Sequence, residues 1–337
     1  MKLSVLDQSI ALSGSGEDAA IRDTLDLAQV AERLGYHRFW VSEHHGMPTI
    51  VGSAPEILMA AVAARTQRIR IGSAGVMLPH YSALKVAEQF RVLDALAPGR
   101  IDLGVGRAPG SDMRTAMALN PDAHQAAEQF PAQIQDLQRW SAGLLHKGIT
   151  AQPRPPVDMV GRPERSPDIW VLGSSDYGAR LAAALGLPYA FAYFFMDGQG
   201  AEQALRLYRE LYQPSERHPR PQATICVWAL AADKAEDAMH HALSRERWRV
   251  DRQRGRLGPL QNPDHIAAQG FDPEAMATIV APMRERALVG DRAFVGRALR
   301  GLAETFHLDE LVINTWTYNP EVRRRSYALI AEEFRLQ

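Results

Sequence analysis

The chain has 337 residues, 46% of them hydrophobic and 23% charged, with 38 Lys and Arg against 39 Asp and Glu for a net charge of −1. This is ordinary globular composition, and its balance gives no sign of a nucleic-acid or anionic-membrane partner. The single cysteine, Cys226, excludes an internal disulfide, and the first apolar run, Leu3 to Leu6, is too short for a signal-peptide core or a membrane span, so a cytoplasmic location is expected.

Short apolar runs alternate with longer helical stretches along the chain. Leu3–Leu6 reads as a strand, and Glu17–Leu34 as a helix with Ile21, Leu25, Ala28 and Ala31 at helical spacing and Gly35 as its stop. His37–Val41 is a second strand, and Pro55–Arg65 a helix with proline at its start. A third strand opens at Ile69 and runs towards Met77, followed by a helix over Leu84–Leu96. Ile101–Val105 is the fourth strand. The alternation resumes with a strand over Asp168–Leu172 and a helix over Tyr177–Leu185. Tyr189–Phe194 and Ala201–Tyr212 form the next pair. A strand over Thr224–Leu230 then leads into a helix beginning at Ala235–Arg249. Leu311–Asn314 and the helix Pro320–Phe334 close the series.

Eight strands, each followed by a helix, predict a parallel (β/α)8 TIM barrel. A doubly wound sheet is the competing α/β arrangement, and Leu6-Asp7-Gln8-Ser9 lacks the glycine fingerprint that would favour it. The whole chain, 1–337, is expected to form one barrel domain, since such barrels often exceed ~250 residues. Two insertions stand out. The one after strand four, Arg107–Pro167, carries a helix around Gln125–Leu145 and a Pro-rich tract over Gln152–Pro167. The one after strand seven, Asp251–Arg286, carries Arg252, Arg254 and Arg256 and a short helix around Glu274–Val280. Long insertions in a compact barrel are functional or mobile.

The working face of such a barrel is the C-terminal end of its strands. Strand two runs out into Glu43-His44-His45. Histidine titrates near neutrality and suits proton transfer, and a neighbouring carboxylate can orient it. Adjacent residues on extended chain point in opposite directions, so the two histidines are not expected to share a role. Both could equally be structural residues at a loop start. No His-x-x-x-His or cysteine pair supplies a third metal ligand, so no metal is expected. Strand three ends in small residues, Ser73-Ala74-Gly75, suited either to close approach of a flat ligand or to tight packing. After strand four, Gly104 to Gly110 exposes backbone amides beside Arg107, whose guanidinium suits phosphate. After strand five, Gly173-Ser174-Ser175-Asp176 leads into a helix whose N-terminus can hold an anion or carry a plain cap. Two such turns on neighbouring strands suggest one phosphorylated cofactor. Trp228, Phe194, Phe195 and Trp316 lie near strand ends, where they either form an apolar pocket or pack in the core.

Taken together, Trp40-Val41-Ser42-Glu43-His44-His45, the run from Ile71 to Pro79 and the run from Leu96 to Arg107 resemble the bacterial-luciferase-like flavin monooxygenase family. The match is tightest over the first third of the chain and extends more loosely through Gly173-Ser174-Ser175 to the closing strand. The resemblance implies reduced FMN at the barrel mouth, reaction with dioxygen to a C4a-(hydro)peroxyflavin, and oxygenation of a small organic substrate. It implies catalytic roles around His44, with Glu43 and His45 beside it. It implies flavin contacts from Ala74 and Gly75, across a cis peptide bond between them, cofactor contacts from Gly106 and Gly173, and phosphate contacts from Arg107, Ser174 and Ser175. It further implies a separate reductase supplying reduced flavin, a homodimer built on the helices Pro55–Arg65 and Leu84–Leu96, and a mobile lid over 251–286. Two departures matter. Gly106 stands where light-emitting members have a reactive cysteine, which argues against light emission. Glu43-His44-His45 stands where the deazaflavin branch has an aspartate-histidine pair, which favours FMN over F420. A flavin-binding protein without turnover and a flavin or F420 oxidoreductase are the alternatives.

Overall fold

The computed structural model describes residues 1–107, 111–157 and 165–337. Its strands are β1 (Lys2–Asp7), β2 (Arg38–Val41), β3 (Arg70–Met77), β4 (Ile101–Gly106), β5 (Asp168–Gly173), β6 (Tyr189–Phe191), β7 (Ala223–Ala232), β8 (Leu288–Asp291) and β9 (Glu310–Asn314). All pair in parallel. β1 to β7 follow one another around a ring that β9 closes by pairing with both β7 and β1. The expected eight-stranded barrel is therefore present. β8, unseen in the sequence reading, lies outside the ring on the upper half of β7.

Alternation along each strand builds two interiors. Val5, Phe39, Ile71, Leu103 and Val171 point outward into a continuous core shared with the surrounding helices. Leu6, Trp40, Trp170, Ala190, Cys226 and Val312 point inward and fill the barrel. Helix starts follow local chemistry. Pro55, Pro263 and Pro320 occupy first turns, and Asp291 and Asn319 cap their helices with side-chain oxygens.

The barrel's lower end is closed by charge. Arg38 at the start of β2 donates to Asp102 of β4 at 2.7 Å and to Glu310 of β9 at 2.9 Å. Arg70 of β3 reaches Asp102 at 2.5 Å and Asp168 of β5 at 2.8 Å. Trp40 Nε1 donates to Asp102 at 3.0 Å, and Ser4 of β1 donates to Glu310 at 2.5 Å. Five strands plus β1 are thus tied at their first residues. Burial opposes ionisation of Asp102, but the guanidiniums of Arg38 and Arg70 outweigh it and hold the carboxyl below its ordinary range. Gly72 admits the Trp40 ring, because a Cβ there would sit 2.5 Å from Trp40 Cδ1.

Three expectations need correction. The helix expected over Gln125–Leu145 is two, Ala123–Glu128 and Phe130–Ser141, because Pro131 starts a new helix in place of continuing the old one. The sixth strand stops at Phe191, and a tight helical turn over Tyr193–Phe195 follows. From the sequence, the segment 251–286 is expected to hold only a short helix around Glu274–Val280, and it holds more. It includes the end of the helix Ala235–Gln253, a helix Pro263–Gln269, and a run of helical turns from Pro273 to Glu285 whose middle, Met276–Val280, is wound as π-helix. Arg252, Arg254 and Arg256 are exposed, as expected. Among the described residues, no helix is long and apolar enough to cross a membrane.

The charge cluster gives a direct prediction. Removing one member of a buried ion network costs about 3–5 kcal/mol, so Asp102→Ala should lower unfolding free energy in urea by that amount. A loss below about 1 kcal/mol would mean that Arg38 and Arg70 find water or other partners, as exposed pairs do.

Candidate active site

Above the apolar layer, the upper end of the barrel opens into two chambers. The inner one has a volume of about 280 Å3, and its floor is Leu6, Trp40, Ala190, Cys226 and Val312. Ala74 and Gly75 form one wall, joined by a cis peptide bond. The register of β3 against β4 shifts between Ser73 and Val76, at the same place. A Cβ on Gly75 would lie 2.4 Å from Leu172 Cδ1 and 2.7 Å from the Gly104 carbonyl oxygen, so only glycine fits.

One end of the inner chamber is built for an anion. Gly173, Ser174 and Ser175 line it. Ser175 caps the helix Asp176–Leu185 in extended conformation, but its hydroxyl makes no capping bond. Among the described residues, neither the first-turn amides nor the exposed Ser174 and Ser175 hydroxyls have a hydrogen-bond partner, which suits them to a ligand. Arg107 stands at the same end with its guanidinium 4.0 Å from the centre of the Tyr177 ring. Gly106 lines the wall below it. The rest of the turn after β4, Ala108, Pro109 and Gly110, lies outside the described residues, as does part of the Pro-rich tract, 158–164. Donors for a phosphate, a wall with no side chain and an apolar floor are what a flat ring carrying a phosphate tail needs, and FMN fits that set.

The three residues after β2 separate. His44 lines both chambers, and His45 lines only the outer one. Glu43 lines neither. Its carboxylate is buried and accepts from the backbone N–H of Met77 at 2.9 Å and from the Tyr81 hydroxyl at 2.7 Å, and it lies 2.7 Å from His45 Nε2. It ties the end of β2 to the end of β3. His44 is held by its backbone N–H on Gly52 and by a 3.2 Å contact between Nδ1 and Ser42 Oγ. Burial pulls its pKa down to about 4, outweighing the opposing pull of Glu43, so the imidazole is neutral at pH 7.

The outer chamber, about 320 Å3, shares Gln8, His44, Phe194 and Phe195 with the inner one. Its other walls include Trp228, Trp248, Trp316, Arg245, Arg249 and Arg252. Of the four aromatics singled out in the sequence, all face a chamber, Trp228 and Trp316 only the outer one. Sequence reasoning missed Gln8, Trp40, Tyr177, Trp248 and the arginines. Gln8 Oε1 accepts from Asn314 Nδ2 and, at 3.1 Å, from Trp316 Nε1, a pairing between the neighbouring ends of β1 and β9 that no local pattern announces. The arginines were findable, since 245, 249 and 252 recur on one face of a helix.

His44 offers a pH test. With its folded pKa near 4 against 6.5 in an unfolded chain, the unfolded state binds more protons between those values. Its contribution to stability is intact above pH 6.5 and declines as pH falls towards 4. Proton NMR of His44 should show a midpoint near 4, and His44→Gln should flatten the acid side of the stability profile. A midpoint at or above 6.5 would contradict the burial.

Comparison with known proteins adds to the geometry. A family model described as luciferase-like monooxygenase matches residues 1–307. A luciferase-like monooxygenase of Escherichia coli (strain K12) is 39% identical over 327 residues, 97% of this chain and 95% of that protein. An N-acetyl-S-alkylcysteine monooxygenase of Bacillus subtilis (strain 168) is 38% identical over 339 residues, 98% of each. Among solved structures, apo-MsnO8 is 34% identical with a TM-score of 0.91, covering 100% of this chain and 99% of that one. The parallel barrel, the site at its strand ends and matches spanning nearly the full length agree, and the chain belongs to the luciferase-like monooxygenase family.

Proposed function

We propose that the protein is an FMN-dependent monooxygenase, using reduced FMN and dioxygen to oxygenate a small organic substrate. The observation that carries this is the inner chamber's layout: an anion site at one end, a side-chain-free wall along its length, and His44 on the wall shared with the outer chamber. When bound, reduced flavin supplies two electrons and activates dioxygen, so that one oxygen atom passes to the substrate and the other leaves as water.

The chain's own residues have distinct tasks in this reading. Arg107, the hydroxyls of Ser174 and Ser175 and the helix amides beneath them hold the phosphate. Ala74, Gly75 and Gly106 bring backbone against the ring, and Gly173 starts the phosphate turn. Leu6, Trp40, Leu172 and Val312 exclude water from the reacting face. His44 is neutral, and with Nδ1 taken up by Ser42, Nε2 is the nitrogen that gives or takes a proton. Glu43 positions the loop that carries His44, and His45 packs beside it on the outer wall. The segment 251–286 acts as a lid, Leu257 closing the outer chamber's mouth. A separate reductase delivers the reduced flavin, and the buried Cys226 suits a reducing cytoplasm. Ile57, Val92 and Leu96 are exposed on the helices Pro55–Arg65 and Ala83–Leu96, which supports a homodimer through that face.

Stopped-flow oxidation of reduced FMN tests the reaction. With protein present, reoxidation by dioxygen should pass through a long-lived absorbing species that free flavin does not show, and His44→Ala should shorten its life. Tight FMN binding with single-phase reoxidation and no His44 effect would favour a flavin carrier. Arg107→Ala should weaken FMN by about tenfold or more, the scale of one charge-assisted hydrogen bond. Unchanged affinity would move the phosphate elsewhere. For the dimer, Leu96→Asp should shift sedimentation from two chains to one, and a monomeric parent protein would end that assignment.

A further inference from the structure

The outer chamber combines aromatic walls with an excess of cations. Trp248 and Trp316 meet edge to face at 4.8 Å, and Trp228 faces them. Arg245, Arg249 and Arg252 project from one face of the helix Ala235–Gln253. Arg245 is buried, stacked on Trp228 with its guanidinium carbon 4.3 Å from the ring centre. Its only hydrogen bond among the described residues is a long one, 3.4 Å, to the Phe194 carbonyl.

Counter-charge is short. Asp197 lies 3.7 Å from Arg245, but it is engaged by Arg249 at 2.7 Å, which also donates to the Phe195 carbonyl at 3.0 Å. Arg252 stacks on Trp248 at 5.4 Å and has no carboxylate partner among the described residues. Asp112, the acid on the chamber wall, caps a helix by accepting from Thr115 N–H at 2.8 Å. A buried guanidinium with so few bonds is costly unless a further acceptor completes it. Burial, reinforced by Arg249, pulls the Arg245 pKa down to about 10, against the opposing pull of Asp197 and Glu246.

We propose that the outer chamber binds a substrate with a terminal carboxylate on an apolar or aromatic body. The carboxylate sits on the Arg245 guanidinium, with Arg252 completing it at the mouth. The body lies among Trp228, Trp248 and Trp316, and its far end is presented at His44. The planar fork of arginine fits a carboxylate with two parallel bonds. This rests on reading the inner chamber as the flavin site, since that reading makes the outer chamber the substrate's.

Binding, not turnover, tests it. Phenylalkanoates from phenylacetate to phenylbutanoate and their matching amides are titrated into the full chain, with and without FMN, by calorimetry and tryptophan fluorescence. FMN affinity is measured separately on flavin fluorescence. The acids should saturate and quench tryptophan, and the amides should bind about tenfold weaker or less tightly still. Arg245→Gln should remove that preference without weakening the amides, and Arg245→Lys should restore part of it. If Arg245→Gln does not fold, Arg252→Gln should lower acid affinity in the same direction, and added salt should weaken the acids alone. Acids and amides binding alike, or no acid binding, overturns the proposal, and the arginines then serve only to anchor the Tyr193–Asp197 turn. FMN binding lost while acid binding persists would sink the flavin reading and leave the carboxylate site standing.

Discussion

The Asp102 carboxylate, held between Arg38 and Arg70, is the constraint on which the site depends. It joins the first residues of β2, β3 and β4 and, through its arginines, those of β5 and β9. It also fixes the Trp40 indole, which is at once a ligand of the charge cluster and the floor of the inner chamber. Trp170 packs edge to face against Trp40 at 5.2 Å, and Arg38 stacks on the Trp170 ring at 5.0 Å. One aromatic layer therefore separates the ion cluster at the lower end from the chamber above it, whose floor is apolar. Charge below gives rigidity, and the layer keeps that charge from the chemistry above.

The electrostatics of the two chambers differ in kind. In the inner one, fixed dipoles at a helix end and a single arginine gather at one end, and the floor is apolar. Burial keeps His44 uncharged, so its proton can be exchanged without a second permanent charge being set beside a ring. In the outer one, two permanent cations, Arg245 and Arg252, are stacked on aromatic faces, where the ring quadrupoles offset part of their desolvation. His44 stands on the boundary and is reached from both sides.

Much of this was legible in the sequence. Short apolar runs alternating with period-3.6 runs located every barrel strand to within a residue or a few, and prolines marked two helix starts, Pro55 and Pro320, to the residue. The strand-end rule located Glu43-His44-His45, Ala74-Gly75, Arg107 and Ser174-Ser175, and these gather at one end of the barrel. What could not be read is what depends on partners far apart in the chain. Glu43 faces away from the chambers because Met77 and Tyr81 hold its carboxylate. Asp102 sits inside a strand whose pattern says only that it points inward. β8 is four residues long and finds its place only because β7 runs on past the ring.

That overrun of β7 has a consequence for how such a protein diversifies. β7 spans ten residues, and its last four, Ala229–Ala232, serve β8. The helix Ala235–Gln253, which supplies the arginines and Trp248, follows directly from this raised rim. The inner chamber draws mainly on β1 to β6, with Cys226 of β7 and Val312 of β9 in its floor, and charge ties β1 to β5 and β9 from below. The molecule is thus divided into a fixed engine and an exchangeable adaptor. Residues on the β7 side can be replaced to admit a new guest without disturbing the machinery that would process it, and a designer seeking altered selectivity would begin there.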